Sequence, residues 1–252
     1  MKLVSQWLAA VALIVSLAPA ASAQTADEVV EKYLTAIGGR QALAKLTSRT
    51  MVGTISLTTP GGEVSGPIEI ENQAPTKSRM LITLDLSSFG VGKVVVDQRF
   101  DGTTGYVIDT FQGNHDLTGD QLEIMKYGAF PSPFLSYREL GATLELTGKE
   151  NVGGRDAYVL VLKTRNGAPM RQYLDAQSYL PIRTSVKLNV PQFGDLEQVT
   201  EFSDYRPVDG VKVPFHITSS SQVQTSNVVI TKVEHNTAID PAIFSKPAAG
   251  AK

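Results

Sequence analysis

The feature that most restricts the possible folds is a strict alternation of apolar and polar residues from Leu180 to Ile217. Ile182, Thr184, Val186, Leu188 and Val190 share one face, and Arg183, Ser185, Lys187 and Asn189 the other. A period of two marks a half-buried strand, because successive side chains leave a pleated backbone on opposite sides. After Pro191-Gln192-Phe193-Gly194-Asp195 the pattern resumes, with Leu196, Gln198, Thr200 and Phe202 set against Glu197, Val199, Glu201 and Ser203. After Arg206-Pro207-Val208-Asp209-Gly210 it resumes again in Val211, Val213, Phe215 and Ile217. Such segments, joined by short turns, predict an antiparallel meander with water on one side only.

The same period governs most of the chain. From Thr50, the residues Met51, Gly53, Ile55 and Leu57 face one way, Pro60-Gly61-Gly62 turns the chain, and Val64, Gly66, Ile68 and Ile70 face back. This is a hairpin pattern. Met80 to Leu86, Lys93 to Phe100 and Gly105 to Asp109 continue it, with Asp101-Gly102 as a turn. Further strands are predicted at Thr143 to Lys149, Ala157 to Lys163, Met170 to Asp175 and Val223 to Val233. The total is about ten or eleven strands, a number at which an antiparallel sheet curls rather than staying flat.

Helical signals are few. Thr25-Ala26-Asp27-Glu28 is a capping box, followed by an apolar stripe of Val29, Val30, Tyr33, Leu34 and Ile37 and a Gly38-Gly39 stop. A second short helix is expected from Arg40 to Leu46. Thr118-x-x-Gln121 offers another capping box before Leu122, Ile124 and Met125, after a polar loop from Gln112 to Leu117. The stretch Ala129-Phe130-Pro131-Ser132-Pro133-Phe134-Leu135 is apolar and broken by proline, so it reads as a cover lying on the sheet without joining it. The expected fold is therefore mainly β: a strongly curved antiparallel sheet, or incomplete barrel, with helices covering its concave face.

Residues 1–23 read as a cleavable secretory signal: Lys2, an apolar core from Leu8 to Leu17, and Ala21-Ser22-Ala23 before Gln24. One domain is expected over 24–246, with a loose tail at 247–252. No later run is apolar enough to span a bilayer, so the mature protein is expected to be soluble. The formal net charge is −2, with no Lys/Arg cluster, which disfavours a nucleic-acid partner. There is no cysteine, so an exported chain must be held by its core alone, and thiol catalysis is excluded.

Motifs for other chemistry are missing. His115, His216 and His235 are scattered, with no metal-ligand spacing, and are expected to be structural or on the surface. No G-x-S-x-G, Walker or G-x-G-x-x-G pattern occurs. The carboxylate pairs Glu69/Glu71 and Asp97/Asp101 read as a solvated face. What remains is apolar excess near the cover: Phe89, Val91, Ile124, Met125, Phe130, Phe134 and Leu135. These residues are either core or the wall of a cavity for a removable apolar ligand, and Met and Phe suit the second role because they repack around varied shapes. Val186, Leu188, Phe202 and Phe215, on the apolar side of the meander, would form its back wall.

The opening D-E-V-V-E-K-Y-L-T-A-I-G-G-R-Q-A-L-A-K-L, with F-S-D-Y-R-P-V-D-G-V-K-V-P-F-H-I and I-D-P-A-I-F near the end, resembles the outer-membrane lipoprotein-sorting superfamily of LolA- and LolB-like proteins. The resemblance spans nearly all of the chain after residue 23. It implies an incomplete barrel with helices as a lid over a hydrophobic cavity, and a periplasmic location. It also implies a carrier or binding protein for an acyl chain or lipid, partnered by lipidated protein or lipid and by transport components of the inner and outer membranes. Lacking a cysteine to acylate, the chain resembles the soluble carrier type. That carrier locks its lid with an arginine; Arg49, ahead of the first strand, is a candidate whose match the motifs do not fix. A monomer without cofactor or catalytic residues is expected. The alternatives are an envelope sensor or interaction module using the same concavity, and an enzyme whose site assembles only on folding.

Overall fold

The computed structural model describes residues 24–59, 61–164, 166–190 and 194–248. The expected signal segment lies outside the described residues, as do residues 249–252 of the expected tail. Helix α1 (Ala26–Ala36) opens the described chain, and its capping box forms as the sequence predicts. The Glu28 amide donates to Thr25 Oγ1 at 3.2 Å, and the Thr25 amide to Glu28 Oε2 at 2.9 Å. Gly38 and Gly39 end the helix with φ of 136° and 88°. A side chain at Gly38 would also put its Cβ 2.6 Å from the Gly210 carbonyl oxygen. Glycine is thus required twice, by backbone conformation and by the docking of the helix end. The Lys212 amide completes that docking by donating to the Ile37 carbonyl at 2.8 Å. Helix α2 (Arg40–Leu43) is shorter than its pattern suggested.

Strands follow as β1 (Ser48–Thr59), β2 (Gly62–Gln73), β3 (Lys77–Asp85), β4 (Lys93–Phe100), β5 (Gly105–Asp109) and β6 (His115–Leu117). Helix α3 (Gly119–Tyr127) then precedes β7 (Thr143–Val152), β8 (Arg155–Lys163) and β9 (Met170–Asp175). The meander is present as β10 (Pro181–Val190), β11 (Gly194–Val208) and β12 (Val211–Ser220), and β13 (Thr225–His235) ends the series. All belong to one antiparallel sheet in the order β6-β5-β4-β3-β2-β1-β13-β12-β11-β10-β9-β8-β7. The sheet is not closed into a barrel, since β6 and β7 are its two edges.

Thirteen strands exceed the expected ten or eleven. Every segment with a predicted alternation is a strand, and the strand without one, β6, lies in what reads as a polar loop, because a three-residue edge strand with a single buried residue leaves no alternation to detect. The capping box at Thr118 also fails: Thr118 is the N-cap, but its side chain makes no capping bond. The hairpin at Asn166-Gly167 exists, but its loop spans the whole gap from Lys163 to Met170. Among the described residues, the two-residue hairpin turns with both residues at positive φ are Gly153-Gly154 and Asp209-Gly210.

Contacts from α3 show how strongly the sheet bends. Asp120 accepts from the Asn189 amide on β10 at 3.1 Å, while Met125 Sδ accepts from Gln98 Nε2 on β4 at 3.1 Å. Those strands are seven places apart in the sheet, which would be ~33 Å if it were flat. The helix between Asp120 and Met125 spans only ~8 Å. Curling brings the two strands within reach of one short helix.

The apolar side of the curl forms one core. Val29, Val30, Tyr33 and Leu34 of α1 join Met51, Ile55, Ile68, Ile82, Leu160, Leu162, Val213, Phe215 and Ile230 in a single buried cluster. The other side is not uniformly wet, as the alternation suggested. Val159 and Leu160 are both fully buried although they point to opposite faces, and Val152, Ala157, Val159, Tyr173 and Ile182 form a second small cluster.

The carboxylates expected to be solvated are also partly internal. Glu71 and Asp97 are buried, bound to Arg79 at 3.0 and 2.8 Å, and Asp97 also binds Arg99 at 2.7 Å. The turn Pro241–Phe244 packs over this side, with Phe244 buried and the Ser245 carbonyl accepting from Arg99. Sequence alternation placed these acids on the polar face correctly; the C-terminal turn that covers that face is a tertiary event. Asp101 instead caps its own turn by accepting from the Thr103 and Thr104 amides.

Burial by itself would raise the Asp97 carboxyl, but hydrogen bonds from Arg79 and Arg99 outweigh it and hold the group below its ordinary value of 3.8. The stabilisation is therefore present above that pH and lost as pH falls through the lower folded value. Asp97→Asn is expected to cost roughly 2–3 kcal/mol in denaturant unfolding near neutral pH, by leaving two cations underpaired, and to flatten the acid limb of the stability curve. Gly66→Ala is expected to cost about 1–3 kcal/mol or more, because its Cβ would sit 1.9 Å from the Thr83 carbonyl oxygen.

Candidate functional site

The segment from α3 to Ala142 lies over the apolar side and is fastened at separated points by hydroxyl groups. Tyr33 and Ser132 share a hydrogen bond of 3.0 Å, and Ser132 Oγ also accepts from the Phe134 amide at 3.3 Å. Tyr33 meets the Phe134 ring edge-on with centroids 5.2 Å apart. Tyr137 donates to Asp27 at 2.8 Å, joined by Arg138 at 2.6 Å. The hydrogen bonds from Tyr137 and then Arg138 lower the Asp27 carboxyl. At the other end, Tyr127 donates to the Ala168 carbonyl at 2.9 Å, and the Phe130 amide donates to the Pro75 carbonyl at 2.9 Å. Burial raises the Tyr33 hydroxyl, so it stays a neutral partner for Ser132.

Two cavities border this cover. One of about 360 Å³ lies between Glu123, Lys126, Tyr127 and Tyr137 of the cover and Leu162 and Thr164 at the end of β8. The other, of about 270 Å³, lies between α1, α2, the loop Gly128 to Pro131 and the strands β1, β11 and β12. Its lining includes Tyr33, Arg49, Phe130, Phe202, Tyr205, Lys212 and His235.

The candidate residues from the sequence fall into distinct places. Phe130, Phe134 and Phe215 belong to the main core, and Ile124 and Leu135 pack against it half-buried. Met125 is half-buried and faces Gln98. Val186 and Leu188 are buried on β10, and Phe202 is half-buried beside Phe130 in the second cavity. Phe89 and Val91 are 51% and 44% exposed in the loop between β3 and β4, away from both cavities. Phe215 thus shares the main core with Phe130 and Phe134, and Phe202 shares the second cavity with Phe130, whereas the β3–β4 loop takes part in neither.

Several residues of the second cavity, Tyr205, Lys212 and Gln172 among them, carry no signal in the sequence, and Arg49 is a candidate only through the resemblance, which sets it ahead of the first strand. Arg49 lies inside β1 and points with Met51 and Ile55, so a cation occupies a core position. Extending the alternation of the first hairpin back by one step would have placed it on that face. Its guanidinium donates to Asn72 Oδ1 at 2.9 Å and lies 5.1 Å from the centre of the Phe130 ring. Burial pushes its pKa down to about 10. His235 stands directly opposite Arg49 in the β1–β13 ladder, and its side chain is 1% exposed. Of the two roles expected for it, structural or surface, the surface one does not apply: a register shift at Val52/Gly53 turns the end of β13 inward, which no periodicity predicts. Burial, and then the positive Arg49, lower the His235 imidazole against the opposing hydrogen bond to Asp209. No cluster of His, Asp or Glu among the described residues could hold a metal ion.

No family model and no curated protein matches the chain. Solved structures do. A LolA superfamily protein from Nitrosomonas europaea superposes with a TM-score of 0.57 at 15% identity, covering 89% of this chain and 99% of that one. A DUF1329 family protein from Desulfovibrio piger gives 0.57 at 12% identity, over 88% and 98%. An outer membrane lipoprotein-sorting protein domain from Vibrio parahaemolyticus gives 0.55 at 10% identity, over 87% and 97%. The fold is that of these LolA-like proteins.

The fastening points separate structural from ligand roles. Phe134→Ala is expected to cost ~3–5 kcal/mol in urea unfolding, as a fully buried ring should. Tyr33→Phe should cost only about 1 kcal/mol, the worth of one hydroxyl bond, and should raise hydrogen exchange in residues 128–135 without unfolding the sheet.

Proposed function

We propose that this chain, built on the fold of the LolA-like proteins, is a periplasmic binding protein or carrier that holds an acyl chain or lipid beneath a movable cover. The observation that carries the reading is the bridge made by α3 from β4 to β10 over the apolar side of an open sheet. In this reading α1, α3 and the Phe130 to Leu135 segment cover the concave face. Hydroxyl bonds at Tyr33, Tyr127 and Tyr137 hold the cover at its ends. Each contributes about 1 kcal/mol, few enough that an incoming chain could offset them by burying methylenes at ~0.8 kcal/mol each.

Phe130, Phe134, Ile124, Met125 and Leu135 would be the inner surface of the cover, and Val186, Leu188, Phe202 and Phe215 the wall it faces. Phe89 and Val91, exposed at the rim with Phe111, would meet the lipidated partner or a transport component rather than the chain itself. The reading treats 24–246 as one domain and 1–23 as the export signal. The fold neighbour described as an outer membrane lipoprotein-sorting domain supports the location and the lipid class.

Organic extraction of the mature protein purified from an envelope fraction, with mass spectrometry of the extract, tests this directly. Bound lipid or acylated protein is expected, and Phe202→Asp, at a half-buried position on the wall of the second cavity, is expected to lower it at least tenfold while the chain remains folded. An empty extract, together with no uptake of a fluorescent fatty acid, would overturn the proposal.

A further inference from the structure

We infer that Arg49 and His235 form an anion-binding site in the second cavity, built to hold the single oxyanion headgroup, carboxylate or phosphate, of an amphiphilic ligand. The inference rests on the carrier reading and names the headgroup class of its cargo.

The site is a row across three strands. Asn72 on β2 is paired with Arg49 on β1, and Arg49 with His235 on β13. Asn72 engages one end of the guanidinium at 2.9 Å. Two buried nitrogens remain without a hydrogen-bond partner among the described residues, and they are Arg49 Nε and His235 Nε2. Both residues line the same cavity of about 270 Å³. A buried donor left unmade costs about 1–3 kcal/mol, and more on a charged group, so Arg49 Nε, a donor in every state of the guanidinium, invites an acceptor at the point where His235 Nε2 also ends.

Charge selects the acceptor. No carboxylate lines the cavity, whereas Arg49, His235 and Lys212 do. Asp209, in the turn between β11 and β12, binds His235 Nδ1 from the exposed side at 3.1 Å. That bond leaves Nε2 aimed away from Asp209; in the neutral ring, with its proton on Nδ1, Nε2 is an acceptor, and an oxyanion arriving beside Arg49 would offset the positive charge that keeps the ring neutral and favour a second proton there. A cation desolvated enough to be pushed down to about 10 regains most from an anion delivered into the same low-dielectric space. The remaining walls are apolar: Ile37, Leu43, Phe130, Phe202 and Val213. An oxyanion at Arg49 with hydrocarbon against Phe130 and Phe202 matches both.

The test uses the full mature chain, Arg49→Met, and three probes: palmitate, hexadecanol and inorganic phosphate. The wild type is expected to bind palmitate at least tenfold tighter than hexadecanol, and Arg49→Met to erase that difference while unfolding at no lower denaturant concentration. His235→Gln should reduce the preference less. Equal binding of acid and alcohol by the wild type would overturn the anion site and leave the carrier reading standing. If neither amphiphile binds, phosphate decides: a rise in melting temperature seen in the wild type and absent in Arg49→Met keeps the anion site without the carrier, and no rise ends both. A preference for the acid that survives in Arg49→Met would overturn the assignment to this residue.

Discussion

An open sheet of thirteen strands carries an apolar face too wide for any single helix to cover while flat, and the rest of the molecule is arranged around burying it. Curling shortens the span until a nine-residue helix touches strands seven places apart. Helix α1 fills the inside with Val29, Val30 and Leu34, and its glycine stop lets the helix end seat against the turn between β11 and β12. The helices are few because the sheet does most of the enclosing itself.

The two faces handle buried charge in opposite ways. Outside, Asp97 lies between Arg79 and Arg99 with Glu71 beside them, so positive and negative groups offset one another under the C-terminal turn. Inside, Arg49 faces a neutral Asn72, an aromatic ring and a histidine whose own charge it disfavours. A structural ion cluster supplies its own counter-charge. A cation lacking one, at the border of a cavity, has the electrostatics of a site that waits for a ligand.

The three solved proteins compared above share 10–15% identity with the chain. Such divergence is possible because the fold depends on which positions alternate, not on which apolar residue fills them. The polar residues at the cover and in the row of Asn72, Arg49 and His235 are therefore where individual function can differ on a common frame.

The sequence by itself determined every strand but β6 among those described, the capped first helix and the glycine stop. Each is written locally, in a period of two, a period of 3.6, or the few residues that accept a positive φ. It also placed Phe130, Phe134 and Phe215 correctly among apolar contacts. Only the tertiary structure decided that Phe89 and Val91 stand apart from the cavities and that Glu71 and Asp97 are covered. The same is true of the meeting of Arg49 with His235, residues 186 positions apart in the chain. Their meeting depends on ladder register and on an irregularity beside Gly53, and register is fixed by the summed fit of a whole face rather than by any short stretch of residues.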